Sequence, residues 1–527
     1  MNIIDRAIAT VAPQAAFKRE RARFALSVIK NTGYSNYGAS RTKKTMIGWR
    51  SRGGSAKEDI ADNLNDLREK SRDLYMGGAP LATGAIGTMR TNVVGSGLRL
   101  KSQIDYNVLN ITEEQALDLE NLIQHEFALW AETEVCDIER IDNFYELQQL
   151  AFMNWLLSGD VFVLLPSNKL PNSPYDLRIR LIEADRVCNP DFTADSDKIQ
   201  SGVERNASGE VVAYHIRNTH PLSFSVGQLP EWARIAAFGK RTGRRNVLHI
   251  MNRWRIGQLR GVPFVSSVIE TIKQLGRYTQ AEVDAAVIQA IFTVFIQSDA
   301  PTNEAPFGAV IPESEQADAG DSNSIELGNA LIAELAPGEK ANLVEPTRPN
   351  SNFDGFVLAI CRQIGVALGI PYELLVLNFT SSYSASRGAL LEAWKMFKMY
   401  RSWLAMDFCQ PIYEEWLSEA VSKGRIPAPG FFSSPIIRRA YCGAEWNGPA
   451  QGQLDPKKEV EAAELRVRGG FSTRSREAME LNGTDFNNNI RQLRQEGKMM
   501  KEVSGGEKQD IQPSELDKAS PGDTDTE

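Results

Sequence analysis

The chain is poor in the residues from which catalytic and metal sites are usually built. It has four histidines in 527 residues, His125, His215, His220 and His249, and no two of them stand at metal-ligand spacing on one helix face. The pattern predicts His125 on a helix surface and His249 in a strand. The five cysteines (Cys136, Cys188, Cys361, Cys409 and Cys442) are odd in number and widely spread, without a CxxC pair. Neither a zinc site nor a disulfide framework is signalled, and a reducing folding compartment is the simplest reading. Long apolar runs are also missing. The longest, 285–296, is broken by Gln289 and is too short to span a bilayer. The opening MNIIDRAIATVAPQAAFKRERARF lacks the continuous apolar core of a signal peptide. A soluble cytoplasmic protein is expected.

A phosphate loop is absent by one residue. Residues 95–102 read GSGLRLKS, with Leu100 where G-x-x-x-x-G-K-[ST] needs its second glycine to keep the backbone open around phosphate. The following Gln103-Ile104-Asp105-Tyr106 does not resemble a helix start. The same GSG lacks the third glycine of a dinucleotide fingerprint. Carboxylates are many but form no nuclease spacing. The residues therefore assign no catalytic, cofactor-binding or metal site and no cofactor. A nucleotide-dependent nucleic-acid enzyme built on Lys101 is the alternative, and it requires Leu100 to be tolerated in a phosphate loop.

What is present is ordinary folded protein with charged ends. The hydrophobic share is 42% and the charged share 24%, values that suit a globular chain rather than a disordered one. The net charge of −8 is uneven. Up to Ser55 the chain is basic (Lys18, Arg19, Arg21, Arg23, Arg41, Lys43, Lys44, Arg50, Arg52), and from Glu502 it is acidic. Two solvated tails are expected, and the basic arm is a candidate contact for nucleic acid or an acidic partner.

Apolar spacing predicts helices over 56–90, 112–130 with Thr112 as N-cap, and 144–157. A strand is predicted over 92–101, then a β-rich region to 252 with strands at 161–165, 177–182, 211–216 and 246–250, and a hairpin turn at Asn206-Ala207-Ser208-Gly209. A helix is predicted from Pro263 to about 290, roughly 40 Å long. Strands are predicted at 292–296 and 341–344. A helix over 353–368 and another over 384–416, kinked at Pro411, follow. The aromatics of the second, among them Trp394, Trp403, Phe408 and Trp416, fall at helical spacing and read as core. C-terminal helices begin at Asp455-Pro456 and near Thr473, and the tail beyond 501 is disordered by composition.

Between the helices ending near Gly369 and beginning near Ser384 lies a small, polar loop that includes Asn378, Thr380, Ser381, Ser382, Ser384 and Ser386. Fixing such a loop between packed helices is costly unless it has a use.

Six separated segments resemble, in order, the portal proteins of tailed bacteriophages in the branch typified by phage lambda. They are 72–100, ending Asn92-Val93-Val94-Gly95-Ser96-Gly97; Leu181-Ile182-Glu183-Ala184-Asp185-Arg186-Val187 before Asn189-Pro190; and Gly202-Val203-Glu204 with Val212-Ala213-Tyr214-His215. Next come Val247-Leu248-His249 with Arg255-Ile256-Gly257-Gln258-Leu259-Arg260-Gly261-Val262-Pro263, and then the 360–394 stretch. The last is Trp446 with Leu454-Asp455-Pro456-Lys457-Lys458, Gly470-Phe471-Ser472-Thr473 and Asn482-Gly483-Thr484-Asp485.

The resemblance implies an α+β portal fold with a wing, long stem helices, a β-containing clip and a helical crown, assembled as a ring of about twelve copies at one capsid vertex. The implied division is a basic arm at 1–55, wing 56–260, stem helix 261–290, clip 291–350, second stem helix 351–370, tunnel-loop region 371–386, wing helix and connection 387–450, crown 451–500 and acidic tail 501–527. The implied tunnel loop is Asn378, Thr380, Ser381, Ser382, Tyr383, Ser384 and Ser386. Lys273, Arg277, Arg387 and Lys395 are candidates for weak DNA-backbone contacts; solvated faces or intersubunit salt bridges are the alternative for them. Implied partners are other copies of the chain, double-stranded DNA without sequence preference, the terminase large subunit, head–tail connector proteins, and major capsid and scaffold proteins. No membrane is implied. The protein is not expected to be an enzyme. Its expected place is the virion, after assembly in the host cytoplasm. Another head–tail connector ring is the second alternative, though such adaptors are usually smaller than this chain.

Overall fold

A computed structural model describes residues 54–171, 173–223, 229–291, 295–296, 333–334, 353–379, 382–452 and 456–503. The expected basic arm over 1–53, most of the expected clip, the 341–344 strand, Asp455 and the tail from 504 lie outside the described residues. The chain divides into two compact units, Met1–Asp59 and Ile60–Glu527. In the first, Ser55 N–H donates to a Glu58 carboxylate oxygen at 2.8 Å, starting a helical turn.

The second unit mixes helices and antiparallel sheets. Its longer helices are α1 (Leu64–Met76), α2 (Pro80–Val93), α3 (Glu113–Ala131), α4 (Phe144–Ser158), α5 (Ile269–Ile291), α6 (Phe353–Leu368), α7 (Tyr383–Leu404) and α8 (Gln410–Ser422). Three more, α9 (Pro456–Arg468), α10 (Arg474–Asn482) and α11 (Phe486–Val503), close the described chain. Strands β1 (Arg99–Ser102), β2 (Asp160–Leu164), β3 (Arg180–Glu183), β4 (Ile199–Gln200), β5 (Val203–Arg205), β6 (Val211–Arg217), β7 (Trp232–Ala236) and β8 (Val247–Met251) precede α5. The last three are β9 (Phe295–Ile296), β10 (Ala333–Glu334) and β11 (Ala444–Asn447). Among the described residues the sheets run β3-β2-β8, β4-β5-β6-β7, β1-β11 and β10-β9, and of these only the last is parallel.

Local chemistry explains the helix starts. Thr112 accepts from Gln115 N–H while Gln115 returns a bond to the Thr112 N–H, and Asn143 and Glu146 do the same ahead of α4. The Asn206–Gly209 turn closes with Gly209 N–H on Asn206 O at 3.0 Å. The main core is aromatic. Phe127 meets Trp416 edge-on at 5.0 Å and Phe144 at 5.5 Å, and Phe408 stacks on Phe144 at 5.8 Å. Such pairs contribute about 0.5–1.5 kcal/mol each beyond area burial. The aromatics of α7, α8 and the turn between them thus belong largely to the core: Trp394, Phe397, Phe408 and Trp416 are buried.

Several boundaries differ from expectation. Residues 92–98 are not strand: α2 runs through Val93, Gly95 takes φ +56°, and its N–H caps Arg90 O at 3.0 Å. Burial of Val93 overrides its β propensity. The helix expected from Pro263 begins as a 3₁₀ turn at Ser266, where Ser266 N–H bonds Pro263 O at 3.1 Å and Val268 N–H bonds Val265 O at 2.9 Å. The 384–416 helix is two helices joined by a π turn over Ala405–Cys409. Pro411 lacks an N–H and sits in the first turn of α8, where none is required. Within 177–182 the ladder begins only at Arg180, and β4, β5 and β7 are additional. Helix α11 continues to Val503, into the stretch expected to be disordered.

Candidate channel loop and its anchoring junction

The segment between α6 and α7 is shaped by two glycines. Gly369 ends α6 at φ +70°, and Gly365 is buried where a Cβ would lie 2.6 Å from Ile370 O. Ile370 N–H then bonds Gly365 O at 2.9 Å, and Pro371 leads into the one-turn helix Tyr372–Leu375. Leu375 is buried, so the turn is pinned. Beyond it Leu377 takes φ +52°, and Leu377, Asn378 and Phe379 are exposed. Thr380 and Ser381 lie outside the described residues. Ser382 is the N-cap of α7, accepting from Ala385 N–H at 3.4 Å, and Ser386 N–H returns to Ser382 O at 2.9 Å. Tyr383, Ser384 and Ser386 therefore belong to the first turns of α7, and the loop proper is shorter than expected.

The four candidate cations are divided between two helices. Lys273 and Arg277 sit one turn apart on α5. Lys273 pairs with Asp73 at 3.6 Å, both side chains about two-thirds exposed, and Arg277 is exposed with no ion pair among the described residues. On α7, Lys395 pairs with Glu392, while Arg387 lines a cleft of about 1290 Å³ between α7, the antiparallel β1–β11 pair and the C-terminal helices.

The residues of the near-miss phosphate loop do different work. Gly97 takes φ +106° against the Tyr145 side chain, and Lys101 lies in β1 opposite Glu445, its Nζ donating to Ser475 Oγ at 2.6 Å. The backbone there forms a strand ladder, not a cradle. His125 is exposed on α3, and His249 lies in β8, as the pattern predicted.

Sequence reasoning missed the junction at the head of α5. Asp160 is fully buried at the start of β2. Its carboxylate accepts from Arg68 at 2.8 Å, from Arg260 Nε at 2.6 Å and from Gly261 N–H at 3.1 Å, and His249 Nε2 lies 3.2 Å away. Arg68 also donates to Ser158 O, and Arg260 to Val187, Ser201 and Ala184 carbonyls. Arg72 and His220 approach Asp185 beside it. Burial alone would raise the Asp160 pKa, but Arg260 and Arg68 override it and hold the carboxyl well below its usual range. Burial pushes His249 below its ordinary value against the pull of Asp160. It also lowers Arg68 to about 10. Gly159 and Gly261 touch backbone to backbone: a Cβ on Gly261 would stand 1.9 Å from Gly159 O. The junction ties α1, β2, β8 and the 184–187 turn to the chain entering α5. An Asp after a glycine, opening a strand of wholly apolar residues, was the signal available in the sequence.

A second, half-buried cation joins α7 to the body. Arg401 donates to Asn92 O, Val93 O and Pro449 O at 2.8–3.1 Å, and its guanidinium lies 5.3 Å from the Trp394 ring centroid. It thereby caps the carbonyl end of α2. Burial lowers its pKa to about 10.

The model of the lambda family of phage portal proteins matches residues 42–401. Portal protein B of Escherichia phage lambda is 26% identical over 426 residues, 77% of this chain and 78% of that protein. The portal protein of Escherichia phage N15 is 24% identical over 458 residues, 84% of this chain and 85% of that protein. Among solved structures, a chain from the virion of a native gene transfer agent particle aligns at 14% identity and TM-score 0.36, over 79% of this chain and 92% of that one. A chain from the neck of the empty particle aligns at 15% and 0.38, over 78% and 92%. These structural likenesses are too low to carry an argument. The family match, which spans most of the chain, does: the chain belongs to the lambda family of phage portal proteins.

Proposed function

We propose that this portal protein assembles as a ring of about twelve copies around a channel through which double-stranded DNA enters and leaves the capsid. The family match over 42–401 carries the reading. Packing of the helices supports it: α5 and α6 lie together, Tyr278 stacking on Phe353 at 5.6 Å and meeting Phe356 edge-on at 5.1 Å. They bracket the 292–352 insertion as two stem helices bracket a clip. The wing is 56–260 with 387–450, and the crown is 451–500. Terminase docks at the clip during packaging, and connector proteins replace it afterwards; capsid and scaffold proteins surround the ring. The virion is the site of action.

In this reading Asn378, Thr380, Ser381 and Ser382 face the channel, with Tyr383, Ser384 and Ser386 at its edge. Small neutral side chains neither wedge DNA nor hold its phosphates. Duplex binding is dominated by charge neutralisation, so a conduit works best with few strong cationic contacts. Arg277 and Arg387, which carry no ion pair among the described residues, are better placed than Lys273 and Lys395 for weak backbone contacts. The protein is a passive conduit and hydrolyses nothing itself. Deleting 378–381, which leaves the Ser382 cap intact, spares ring assembly and impairs DNA packaging or retention. Rings that failed to form would count against the loop's channel role, and normal packaging would refute it.

A further inference from the structure

Two charged turns of opposite sign flank the same three-stranded sheet. The first lies beyond β3. Asp137 forms a parallel bridge to Ile179, one residue before β3, and its buried carboxylate accepts from the N–H groups of Glu139, Ile141 and Asp142 at 3.0–3.4 Å. Those bonds hold a tight turn in which Arg140 takes φ +57°. Around it stand Glu134, Glu139 and Glu146, all exposed, with Asp142 half-buried. Ile141, at the turn's apex, is 67% exposed. The carboxylates crowd one another: burial, then Glu146, Asp137 and Glu139, raise the Asp142 pKa.

The second turn lies at the other edge, where the chain passes from β7 into β8. From Trp232 to Gly257 the chain has no Asp or Glu. Gly239 N–H bonds Arg244 O at 2.7 Å, Gly243 N–H bonds Gly239 O at 2.8 Å, and Phe238 bridges Arg245. Arg244 is anchored by buried Glu415, and Arg245 lies over the Phe238 ring at 5.6 Å. Lys240 and Arg241 remain at the tip, exposed and without an ion pair among the described residues. Phe238 is 43% exposed beside them.

Each turn is therefore a rigid loop with one exposed apolar residue: cations alone surround Phe238, while around Ile141 the carboxylates of Glu134, Glu139, Asp142 and Glu146 outnumber the exposed Arg140. Because the sheet order is β3-β2-β8, the two turns extend opposite edges. Preorganised loops lose little entropy on docking, and complementary charge sets register and excludes wrong partners. Two different patches that complement each other on one chain make a head-to-tail contact, the kind that closes into a ring.

We propose that the acidic turn 137–142 of one copy docks on the basic turn 238–245 of the next, with Ile141 and Phe238 at the centre of the contact. The proposal rests on the ring reading and adds the surface that joins neighbours.

Charge reversal tests it on the full-length protein. One variant carries Lys240→Glu and Arg241→Glu, so both its turns are acidic. The other carries Glu134→Lys and Glu139→Lys, so both are basic. Each alone is expected to assemble at least tenfold less well than the parent by sedimentation and end-on imaging, with unchanged circular dichroism and thermal unfolding. Mixed in equal amounts, they are expected to co-assemble into alternating rings, since every junction then regains opposite charges. Parent-like assembly of either variant alone overturns the proposal while leaving the ring reading intact. Folded variants that fail to rescue each other overturn it as well. A parent protein that forms no ring overturns both.

Discussion

Replacing Asp160 tests the junction at the head of α5 most severely. The carboxylate is 0% exposed and balances Arg68 and Arg260, which are 2% and 3% exposed. Removing one member of a buried ion pair costs about 3–5 kcal/mol, because the partner charge is stranded. Here two guanidinium groups lose their counter-charge, and Gly261 N–H and His249 lose a charged partner. Asparagine keeps one acceptor oxygen, so Asp160→Asn is expected near the low end, about 3 kcal/mol, and Asp160→Ala near the high end, about 5 kcal/mol. Either is a large share of the roughly 5–15 kcal/mol that stabilises a folded domain. Urea unfolding followed by tryptophan fluorescence reads the change. Protein concentration must be fixed, because assembly shifts apparent stability by mass action. The control is Lys457→Ala, whose pairing with Glu461 spans 4.0 Å between side chains 86% and 58% exposed; its loss should be below about 0.5 kcal/mol. An Asp160→Asn protein within about 0.5 kcal/mol of the parent would refute the reasoning, since no buried charge can then have been stranded.

Other expectations follow from the same region. Gly261→Ala would place a methyl group 1.9 Å from Gly159 O, against backbone that cannot swing aside, and should lower stability by about 1–3 kcal/mol or more in the same unfolding assay. A parent-like midpoint would show that the two backbone segments separate freely. His249 has a folded pKa below its unfolded value of about 6.5, so the unfolded chain takes up the proton first. Its contribution is present above that unfolded value and is lost as pH falls below it. His249→Gln should therefore remove part of the stability lost between pH 7 and 5, seen as a flatter dependence of unfolding midpoint on pH. An unchanged slope would place the titration elsewhere.

Much of the fold was legible because its signals are local. The 353–368 helix shows an uninterrupted apolar stripe ended by Gly369, and its bounds match. Thr112 declares its cap through Gln115 three residues later. The 206–209 turn carries its own hydrogen-bonding side chain, Asn206, which accepts from Ser208 and Glu210 N–H. The junction was not legible for the converse reason. Asp160 meets Arg68, His249 and Arg260 across separations of 92, 89 and 100 residues, and nothing near any of them in sequence announces the others. The motif segments around Asp185, His249 and Arg260 that carried the resemblance turn out to converge there. The π turn at Ala405–Cys409 was likewise hidden, since Pro411 marks a disturbance without saying how the backbone absorbs it. The candidate loop was located correctly between its helices, but its last residues form the start of α7, because the Ser382 cap begins the helix earlier than serine content suggests.

The central claim is a ring with a channel, and it is tested most directly by electron-microscope imaging of the purified full-length protein. Class averages seen end-on should show a closed ring of about twelve subunits around an open centre. Monodisperse single subunits, or assemblies without a central hole at concentrations where other copies are abundant, would contradict it.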